Sequence, residues 1–284
     1  MIWLNGEIIE DTSLAFAAND RGALLGDGLF ETIKIDQGRP LFLTEHLCRM
    51  QVSARDLNLP IDRAYLRKGM EALLKHEGAE NLGSARITVS RGPGPRGLSP
   101  IPMDQQRPTM MITVAAKSVE PPKEKSVAPD RLLLAPFIRS SGSPLVRMKT
   151  LSYGDNIAAK AWAEAQGAAD VIFLNENGAV TSTAMSNLFV EAEGGFLTPP
   201  LSAGILPGIV RELILHQAKA AGVKVQVKQL VQSDLWGRRL FRTNSLLGVR
   251  PAWFDHRQGA EQIEGGDNPL QDLYLAAERE ESQS

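Results

Sequence analysis

A stretch rich in proline and lysine, from Lys117 to Pro129, divides the sequence into two parts. It contains Pro121-Pro122 and no apolar periodicity, which is the composition of a linker. On both sides of it, segments with strand periodicity alternate with segments of helical periodicity. The 284 residues therefore predict an α+β protein of two domains, residues 1–116 and 131–284, joined by a linker over residues 117–130.

The first part begins with strands. Asn5-Gly6 stands between two short apolar runs and supplies the positive φ values that a two-residue hairpin turn needs. Leu29 to Ile35 alternates apolar and polar residues and predicts a strand, which turns and returns over Pro40 to Leu43. Thr44 is the expected N-cap of a helix that ends near Leu57. The other predicted elements are a helix over 64–76 and strands over 86–90 and 109–115.

The second part predicts a similar mixture. Its predicted strands cover 132–135, 170–174, 186–190 and 223–227, and its predicted helices cover 156–165 and 208–221. The acidic tail, 271–284, predicts a short helix that frays. The sequence contains no internal repeat, which excludes solenoids and propellers.

The composition excludes several classes of partner and site. The net charge of -2 and a pI near 6.1 provide no basic field for nucleic acid. Cys48 is the only cysteine and there are four histidines, so we expect no intrachain disulfide and no metal site. No run approaches the ~20 apolar residues of a membrane span. We therefore expect a cytoplasmic protein with no membrane partner.

Four clusters rich in glycine or hydroxyl residues are candidates for chemistry: 26–28, 90–97, 204–209 and 243–245. In the third cluster, Pro207 and Gly208 precede an apolar helix. The free N–H groups of Ile209 and Val210, together with the positive end of the helix, would hold a phosphate there. A Pro-Gly pair is also an ordinary helix start. The cluster alone leaves both interpretations open.

Taken in order, these clusters resemble the class IV aminotransferases, the family of D-amino-acid and branched-chain aminotransferases and aminodeoxychorismate lyase. The resemblance is greatest to the lyases. It implies a two-domain fold of the D-amino-acid aminotransferase type, pyridoxal 5'-phosphate as cofactor and a homodimer. The motifs that carry it are Asp20 to Gly22, Gly26 to Thr32, Glu45 to Met50, Ser90 to Gly97, Lys149 to Tyr153, Ser186 to Phe189, Leu206 to Ile209 and Thr243 to Pro251.

The resemblance implies a role for individual residues. Lys149 would bind the cofactor covalently and then move the substrate proton, for which its amine must be neutral; the alternative is a solvated surface lysine. Arg49 would grip the cofactor phosphate through its planar fork, or else be a surface arginine of its helix. The other implied cofactor contacts are Ser182, Asn187, Ile209, Val210 and Ser245, and the implied substrate contacts are Arg96 and Phe30.

The remaining arginines and one leucine bear on the subfamily. Arg96 lies where relatives receive a substrate carboxylate. Its neighbour Leu98 lies where D-amino-acid aminotransferases have a histidine, which disfavours that subfamily. Arg86 and Arg91 are expected to be strand-end charges that pair with acids.

Ser182 is the main departure from the family pattern. Relatives, lyases included, have a glutamate five residues before the asparagine that matches Asn187, and its carboxylate keeps the pyridine nitrogen of the cofactor protonated. A neutral hydroxyl cannot do this. Either a neighbouring acid replaces the glutamate, or the reaction needs less electron withdrawal.

The sequence thus favours a lyase that acts on a small-molecule amine, converting 4-amino-4-deoxychorismate to p-aminobenzoate and pyruvate in folate biosynthesis. The alternative within the family is an aminotransferase for D-amino acids, branched-chain amino acids or another small amine. A relative that binds the cofactor without turnover is a further alternative, and Lys149 argues against it. A binding or structural protein without cofactor is another, and it would make the clustered motifs coincidental.

Overall fold

The computed structural model describes residues 1–10, 16–117, 128–257, 262–264 and 266–283. By its internal contacts the chain divides into two compact units, Met1–Glu120 with Met148–Ser152, and Pro121–Arg147 with Tyr153–Ser284. Each unit contains one β-sheet and several helices. The predicted α+β class is therefore confirmed.

The first unit, in its described residues, has six strands and three α-helices. In chain order these elements are β1 (Ile2–Leu4), β2 (Glu7–Ile9), α1 (Arg21–Leu25), β3 (Gly28–Asp36), β4 (Arg39–Pro40), α2 (Leu43–Asp56), α3 (Arg63–Glu77), β5 (Leu82–Ser90) and β6 (Thr109–Ala116). The strand order in the sheet is β2-β1-β6-β5-β3-β4, and every neighbouring pair is antiparallel.

The core of this unit lies between one face of the sheet and the helices α2 and α3. Successive side chains of a strand point to opposite faces, and alternate residues of β3, Leu29 and Ile33, belong to the core cluster. Met50 of α2 and Met70 of α3 belong to the same cluster. Each such fully buried side chain contributes about 1.5–3 kcal/mol.

The second unit has eight strands and three α-helices among its described residues. These elements are β7 (Asp130–Leu134), α4 (Gly154–Ala165), β8 (Asp170–Leu174), β9 (Val180–Thr183), β10 (Asn187–Ala192), β11 (Gly195–Thr198), α5 (Ile209–Ala220), β12 (Val225–Val227), β13 (Leu240–Asn244), β14 (Gly248–Phe254) and α6 (Pro269–Gln283). The strand order in the sheet is β12-β11-β10-β13-β14-β7-β8-β9, with the pairs β11/β12, β14/β7 and β7/β8 parallel and the others antiparallel.

Most of the predicted elements are confirmed. Asn5 and Gly6 have φ values of 47° and 107°, as the predicted hairpin turn requires. The predicted strand over 170–174 coincides with β8, and the predicted helices over 156–165 and 208–221 agree with α4 and α5 to within two residues. Among the described residues, no helix is both long and apolar enough to cross a membrane.

Two local predictions were wrong. Helix α2 begins at Leu43, and Phe42 at φ 55° is its N-cap without a side-chain hydrogen bond, so Thr44 is not the cap. Leu41 to Leu43 are buried, and their burial in the core replaces the predicted strand extension. The helix predicted over the acidic tail is confirmed as α6, which begins at Pro269 and lies against α5, where its Tyr274 is buried.

The predicted domain limits stay a prediction. Residues 118–127 of the predicted linker lie outside the described residues. Asp130, which was assigned to the linker, is the first residue of β7. Met148–Ser152 groups with the first unit, although the predicted C-terminal domain, residues 131–284, included it.

Candidate active site

Lys149 lies beside strand β3 in the first unit. The backbone N–H of Phe30 donates to the carbonyl of Lys149 at 2.8 Å, and the N–H of Leu151 donates to the carbonyl of Gly28 at 3.0 Å. These bonds bring the Lys149 Nζ to 4.3 Å from the centroid of the Phe30 ring. The lysine is half-buried, so a fully solvated surface lysine is the wrong interpretation.

Phe30 is a buried ring that contacts two cations. The Cζ of Arg86 lies 3.8 Å from its centroid, and Arg86 Nε donates to Thr88 Oγ1 at 3.3 Å. Phe30 faces Thr88 in the β3–β5 register. Arg86 was expected to pair with an acid at the strand end. It lies over an aromatic ring, which is a favourable cation–π arrangement, and the pairing with an acid stays a prediction.

Arg49 is half-buried and bound to a carboxylate. Its Nε donates to Glu31 Oε1 at 2.8 Å and its Nη2 to Glu31 Oε2 at 2.6 Å, and His46 Nδ1 lies 2.7 Å from Oε2. Glu31 has the same parity on β3 as the core residues Leu29 and Ile33, so it points towards α2. A surface arginine is therefore the wrong interpretation of Arg49, while its contact with a phosphate stays a prediction.

The pKa of Glu31 shows the strength of this cluster. Burial on its own would raise the pKa of the carboxyl, but the charge of Arg49 and the hydrogen bonds from His46 and Arg49 outweigh it and lower the pKa to about 2. Glu31 is therefore ionised throughout the neutral range. Its bidentate contact fixes the orientation of the Arg49 fork.

The glycine- and proline-rich loop of the first unit contains one paired and one exposed arginine. Arg91 Nε donates to Asp27 Oδ2 at 2.8 Å, which confirms the expected pairing with an acid. Arg21 donates to the same oxygen at 2.9 Å. Burial raises the pKa of Asp27, but hydrogen bonds and charge from both arginines lower it overall. Arg96 is exposed and has no hydrogen bond or ion pair among the described residues.

The start of helix α5 in the second unit has the geometry of an anion site. Gly208 is the N-cap and makes no side-chain cap hydrogen bond, so the first N–H groups of the helix have no such acceptor. Asn187 Nδ2 donates to the carbonyl of Leu206 at 3.0 Å and holds this turn. A Cβ at position 208 would lie 1.8 Å from Asn187 Oδ1, which is why glycine is required. Ile209 and Val210 are buried behind it.

A hydroxyl group in β13 is available to a ligand. Thr243 is buried, and its Oγ1 has no hydrogen-bond partner among the described residues. Such an atom is costly unless a ligand or water satisfies it. Ser245, the residue expected to contact the phosphate, lies in the turn between β13 and β14. The structure thus adds Thr243 as a candidate.

Ser182 is buried on β9 and bound to an arginine. Arg139 Nη1 donates to Ser182 Oγ at 2.8 Å, and Ser182 Oγ donates to the carbonyl of Thr183 at 3.2 Å. The guanidinium lies 4.0 Å from the ring centroid of Phe173. Burial lowers the pKa of Arg139, and the charges of Tyr153, Asp155 and Asp170 oppose that effect. A neighbouring acid at Ser182 was one expectation, and the observed neighbour is a cation.

The donors of the second unit fit a phosphorylated pyridine. Helix N–H groups and the Thr243 hydroxyl suit phosphate oxygens. Arg139 Nη2, beside Ser182, offers a hydrogen-bond donor, which suits a ring nitrogen with a lone pair. Two orphaned buried atoms, Thr243 Oγ1 and Arg139 Nη2, are what a site built for such a ligand would contain.

No role was predicted from the sequence for Glu31, His46 or Arg139, and Thr243 was predicted only as part of the candidate cluster 243–245. Glu31 was inside a recognised motif, and its position in the alternation of β3 was a signal that it faces the core. His46 lies three residues before Arg49 on the same helix, which places the two on one face. Arg139 stands 43 residues before Ser182, and the sequence contains no local signal of their contact.

Several known proteins are similar to this chain in sequence and fold. The family model for amino-transferase class IV matches residues 28–252. A bifunctional aminodeoxychorismate lyase and D-amino acid transaminase from Mycobacterium tuberculosis is 30% identical over 83% of this chain and 84% of its own. An aminodeoxychorismate lyase from Bacillus subtilis is 27% identical over 88% of this chain and 85% of its own. The crystal structure of the 4-amino-4-deoxychorismate lyase from Pseudomonas aeruginosa has a TM-score of 0.82 at 25% identity and covers 97% of both chains.

Relatives of similar identity include D-alanine and branched-chain aminotransferases. The comparisons therefore establish the family and leave the substrate undecided. Because the family model covers most of the sequence, the chain belongs to the class IV aminotransferases, a family of pyridoxal-phosphate-dependent enzymes that includes lyases and aminotransferases.

Proposed function

We propose that the chain is an aminodeoxychorismate lyase that converts 4-amino-4-deoxychorismate to p-aminobenzoate and pyruvate. The observation that carries the proposal is Ser182, a buried neutral hydroxyl at the position where relatives have a glutamate. No carboxylate holds a proton on the ring nitrogen through this residue. The cofactor is then a weaker acceptor of electrons, and the favoured reaction is one that needs less of this effect.

Lyase chemistry needs less because its product is aromatic. When bound, pyridoxal phosphate would supply a carbonyl group for the substrate amine and a conjugated ring that delocalises the electron pair released beside it. Lys149 Nζ would remove the ring proton next to the amine. The enolpyruvyl C–O bond would break with its electron pair leaving on the oxygen, and the released enolate would take up a proton at carbon to give pyruvate. Aromaticity develops in the transition state and lowers its energy.

The other residues would hold the reactants. Ile209, Val210 and Ser245, with Thr243, would bind the phosphate in the second unit, and Arg49 is the proposed phosphate ligand of the first. Asn187 would support this site by holding the turn before α5. Phe30 would contact the substrate beside Lys149, and exposed Arg96 would receive a substrate carboxylate. Metal ions have no role in this scheme.

The second candidate is an aminotransferase for a D-amino acid, a branched-chain amino acid or another small amine. The specific observation in its favour is the M. tuberculosis relative, which is named for both activities. This reaction would need a 2-oxo-acid acceptor and two half-reactions, and it depends on the electron withdrawal that Ser182 does not support.

The two activities can be measured on one preparation. The purified protein, saturated with pyridoxal phosphate, is incubated with 4-amino-4-deoxychorismate and, separately, with D-alanine or a branched-chain amino acid plus 2-oxoglutarate. We expect p-aminobenzoate and pyruvate in equal amounts and slow transamination. Rapid transamination without p-aminobenzoate would replace the proposed lyase activity by the aminotransferase alternative.

We also propose that the protein is a cytoplasmic homodimer. Size-exclusion chromatography tests the dimer, and cell fractionation tests the location.

A further inference from the structure

We infer that Arg139 is a cofactor-binding residue that, together with Ser182, holds the pyridine nitrogen of pyridoxal phosphate in its unprotonated form. The inference rests on the proposed position of the ring nitrogen at Ser182. It adds a residue that neither the sequence motifs nor the comparisons assign. The electrostatic consequence of a serine at position 182 is then an unprotonated ring nitrogen.

Arg139 is fixed by backbone and ring contacts. The backbone N–H of Arg139 donates to the backbone carbonyl of Leu174 at 2.9 Å, so the segment after β7 is hydrogen-bonded to the end of β8. Its guanidinium lies over Phe173, a fully buried ring of the same strand. Its Nη1 then reaches Ser182 Oγ at 2.8 Å. The guanidinium is therefore oriented in advance, and little rotamer freedom would be lost on binding.

The free hydrogen-bonding group of the Arg139–Ser182 pair that is buried is a donor. A guanidinium has five N–H groups and no acceptor. Ser182 Oγ accepts from Arg139, and its own proton goes to the carbonyl of Thr183 in the longer bond of 3.2 Å. Arg139 Nη2 is buried and has no partner within the described ranges. A ligand atom that satisfies Arg139 Nη2 must accept a hydrogen bond, which a pyridine nitrogen does only without its proton.

Nearby acids do not change the sign of the charge at the pair. Asp170 is bound by Arg242 Nη1 at 2.9 Å and by the N–H groups of Val171 and Ala184. Asp155 is exposed at the start of α4, and Tyr153 precedes that helix. Their charges act on Arg139 from a distance. A buried cation beside the ring nitrogen disfavours a second positive charge there.

A purely structural role predicts a different environment. An arginine that only covers Phe173 would place Nη2 in solvent or on a carbonyl, as Arg91 does with the carbonyl of Leu57. Arg211, for comparison, donates Nη2 to the carbonyl of Pro199 at 3.0 Å. Leaving a buried N–H group unsatisfied is costly. The orphaned Nη2 of Arg139 is therefore better explained by a missing ligand atom.

The experiment reads the protonation of the nitrogen directly. The protein is reconstituted with pyridoxal phosphate labelled with ¹⁵N in the ring, and the ¹⁵N chemical shift is followed over pH, since protonated and neutral pyridine nitrogens have well separated shifts. We expect the wild-type nitrogen to stay neutral over the whole range in which the protein is folded. In Arg139→Leu, we expect it to titrate about 1–3 pH units higher.

Matched variants make the result specific. Arg250→Leu removes another arginine of the same unit, bound to Asp130 at 3.0 Å, and should leave the shift unchanged. Arg139→Lys keeps the charge and provides a second soluble variant; it should retain the neutral nitrogen. The double variant Arg139→Leu/Ser182→Glu should give a protonated nitrogen at neutral pH. The pyridoxal phosphate Kd, measured by fluorescence titration, should rise roughly tenfold in Arg139→Leu.

Two further results would overturn the role of Arg139 alone, and one would overturn the proposed function as well. A protonated nitrogen in the wild type, or an Arg139→Leu protein with an unchanged shift and unchanged Kd, overturns the role of Arg139 while leaving the proposed function intact. Failure of the wild type to bind the labelled cofactor at all overturns both proposals.

Discussion

Two half-buried arginines of this chain lie in opposite chemical surroundings. Arg49 in the first unit is held by both oxygens of Glu31. Arg139 in the second unit has a serine hydroxyl, an aromatic ring and an Nη2 with no partner among the described residues. One positive charge is neutralised within the protein, and the other is not.

The difference separates structural from ligand-binding groups. A buried ion pair that is complete in the folded chain belongs to the fold, and removing one partner leaves an uncompensated charge. A buried cation that is incomplete is explained by something that binds there. The structure therefore indicates that Arg49 has a role in stability in addition to its proposed phosphate contact, and that Arg139 acts mainly through the cofactor.

The largest effect should come from Arg49→Leu in the protein without cofactor. Loss of the guanidinium leaves Glu31 charged and buried, and we expect the free energy of unfolding to fall by about 3–5 kcal/mol. Urea denaturation measures it. The double variant Arg49→Leu/Glu31→Gln should recover much of the loss. A loss only in the presence of cofactor would assign Arg49 to the phosphate alone.

Acid should weaken the same cluster. Because folding lowers the pKa of Glu31 from 4.5 to about 2, its contribution is fully present above pH 4.5 and is lost as the pH falls towards 2. The total is of the order of 3 kcal/mol. Urea denaturation at several pH values should show a smaller loss in Glu31→Gln over this window. Equal slopes for the two proteins would contradict the cluster's role.

Ser182→Glu should give Arg139 the carboxylate that Arg49 already has. The new acid would favour a protonated ring nitrogen, so we expect amino-acid transamination to rise about tenfold, which corresponds to ~1.4 kcal/mol in the barrier. Formation of p-aminobenzoate should be unchanged or lower. Both reactions are assayed with saturating cofactor, so that binding differences do not enter. An equal gain in the lyase reaction would refute the tolerance that we assign to aromatisation.

The smallest effect should come from Arg139→Leu in the protein without cofactor. Replacing an incompletely bonded buried cation by an apolar side chain is close to neutral, and we expect a change within about 1 kcal/mol. Urea denaturation beside Arg49→Leu gives the comparison directly. A loss as large as that of Arg49→Leu would make Arg139 a structural residue.

The sequence predicted local structure better than contacts between distant residues. Asn5-Gly6 specified a hairpin turn because few other residues adopt positive φ, and the apolar periodicity of α5 specified its length. The start of α2 was missed because burial of Leu41 to Leu43 outweighed the capping preference of Thr44. Local chemistry decided the first two, and packing decided the third.

The residues of the candidate site also fall into two groups, those that a local motif places and those that only contacts between distant residues reveal. Ser182, Asn187 and Gly208 could be placed by motif, because each lies in a short segment with its own signature. Arg139 could not, since its partners Phe173 and Ser182 are brought to it by the pairing of β7, β8 and β9. Thr243 is distinguished from Ser245 only by the burial of its hydroxyl, which a motif does not report.

Peptide mapping after borohydride reduction tests most directly whether Lys149 carries the chemistry. Reduction fixes the cofactor to its lysine, and a modified Lys149 resists trypsin, so we expect a pyridoxyl group on the peptide Met148–Lys160. Lys149→Ala should lose this label, the visible absorption band of the bound cofactor and all turnover, while it stays folded. A label on another lysine of the wild type, or turnover retained by Lys149→Ala, would rule out Lys149 as the catalytic lysine.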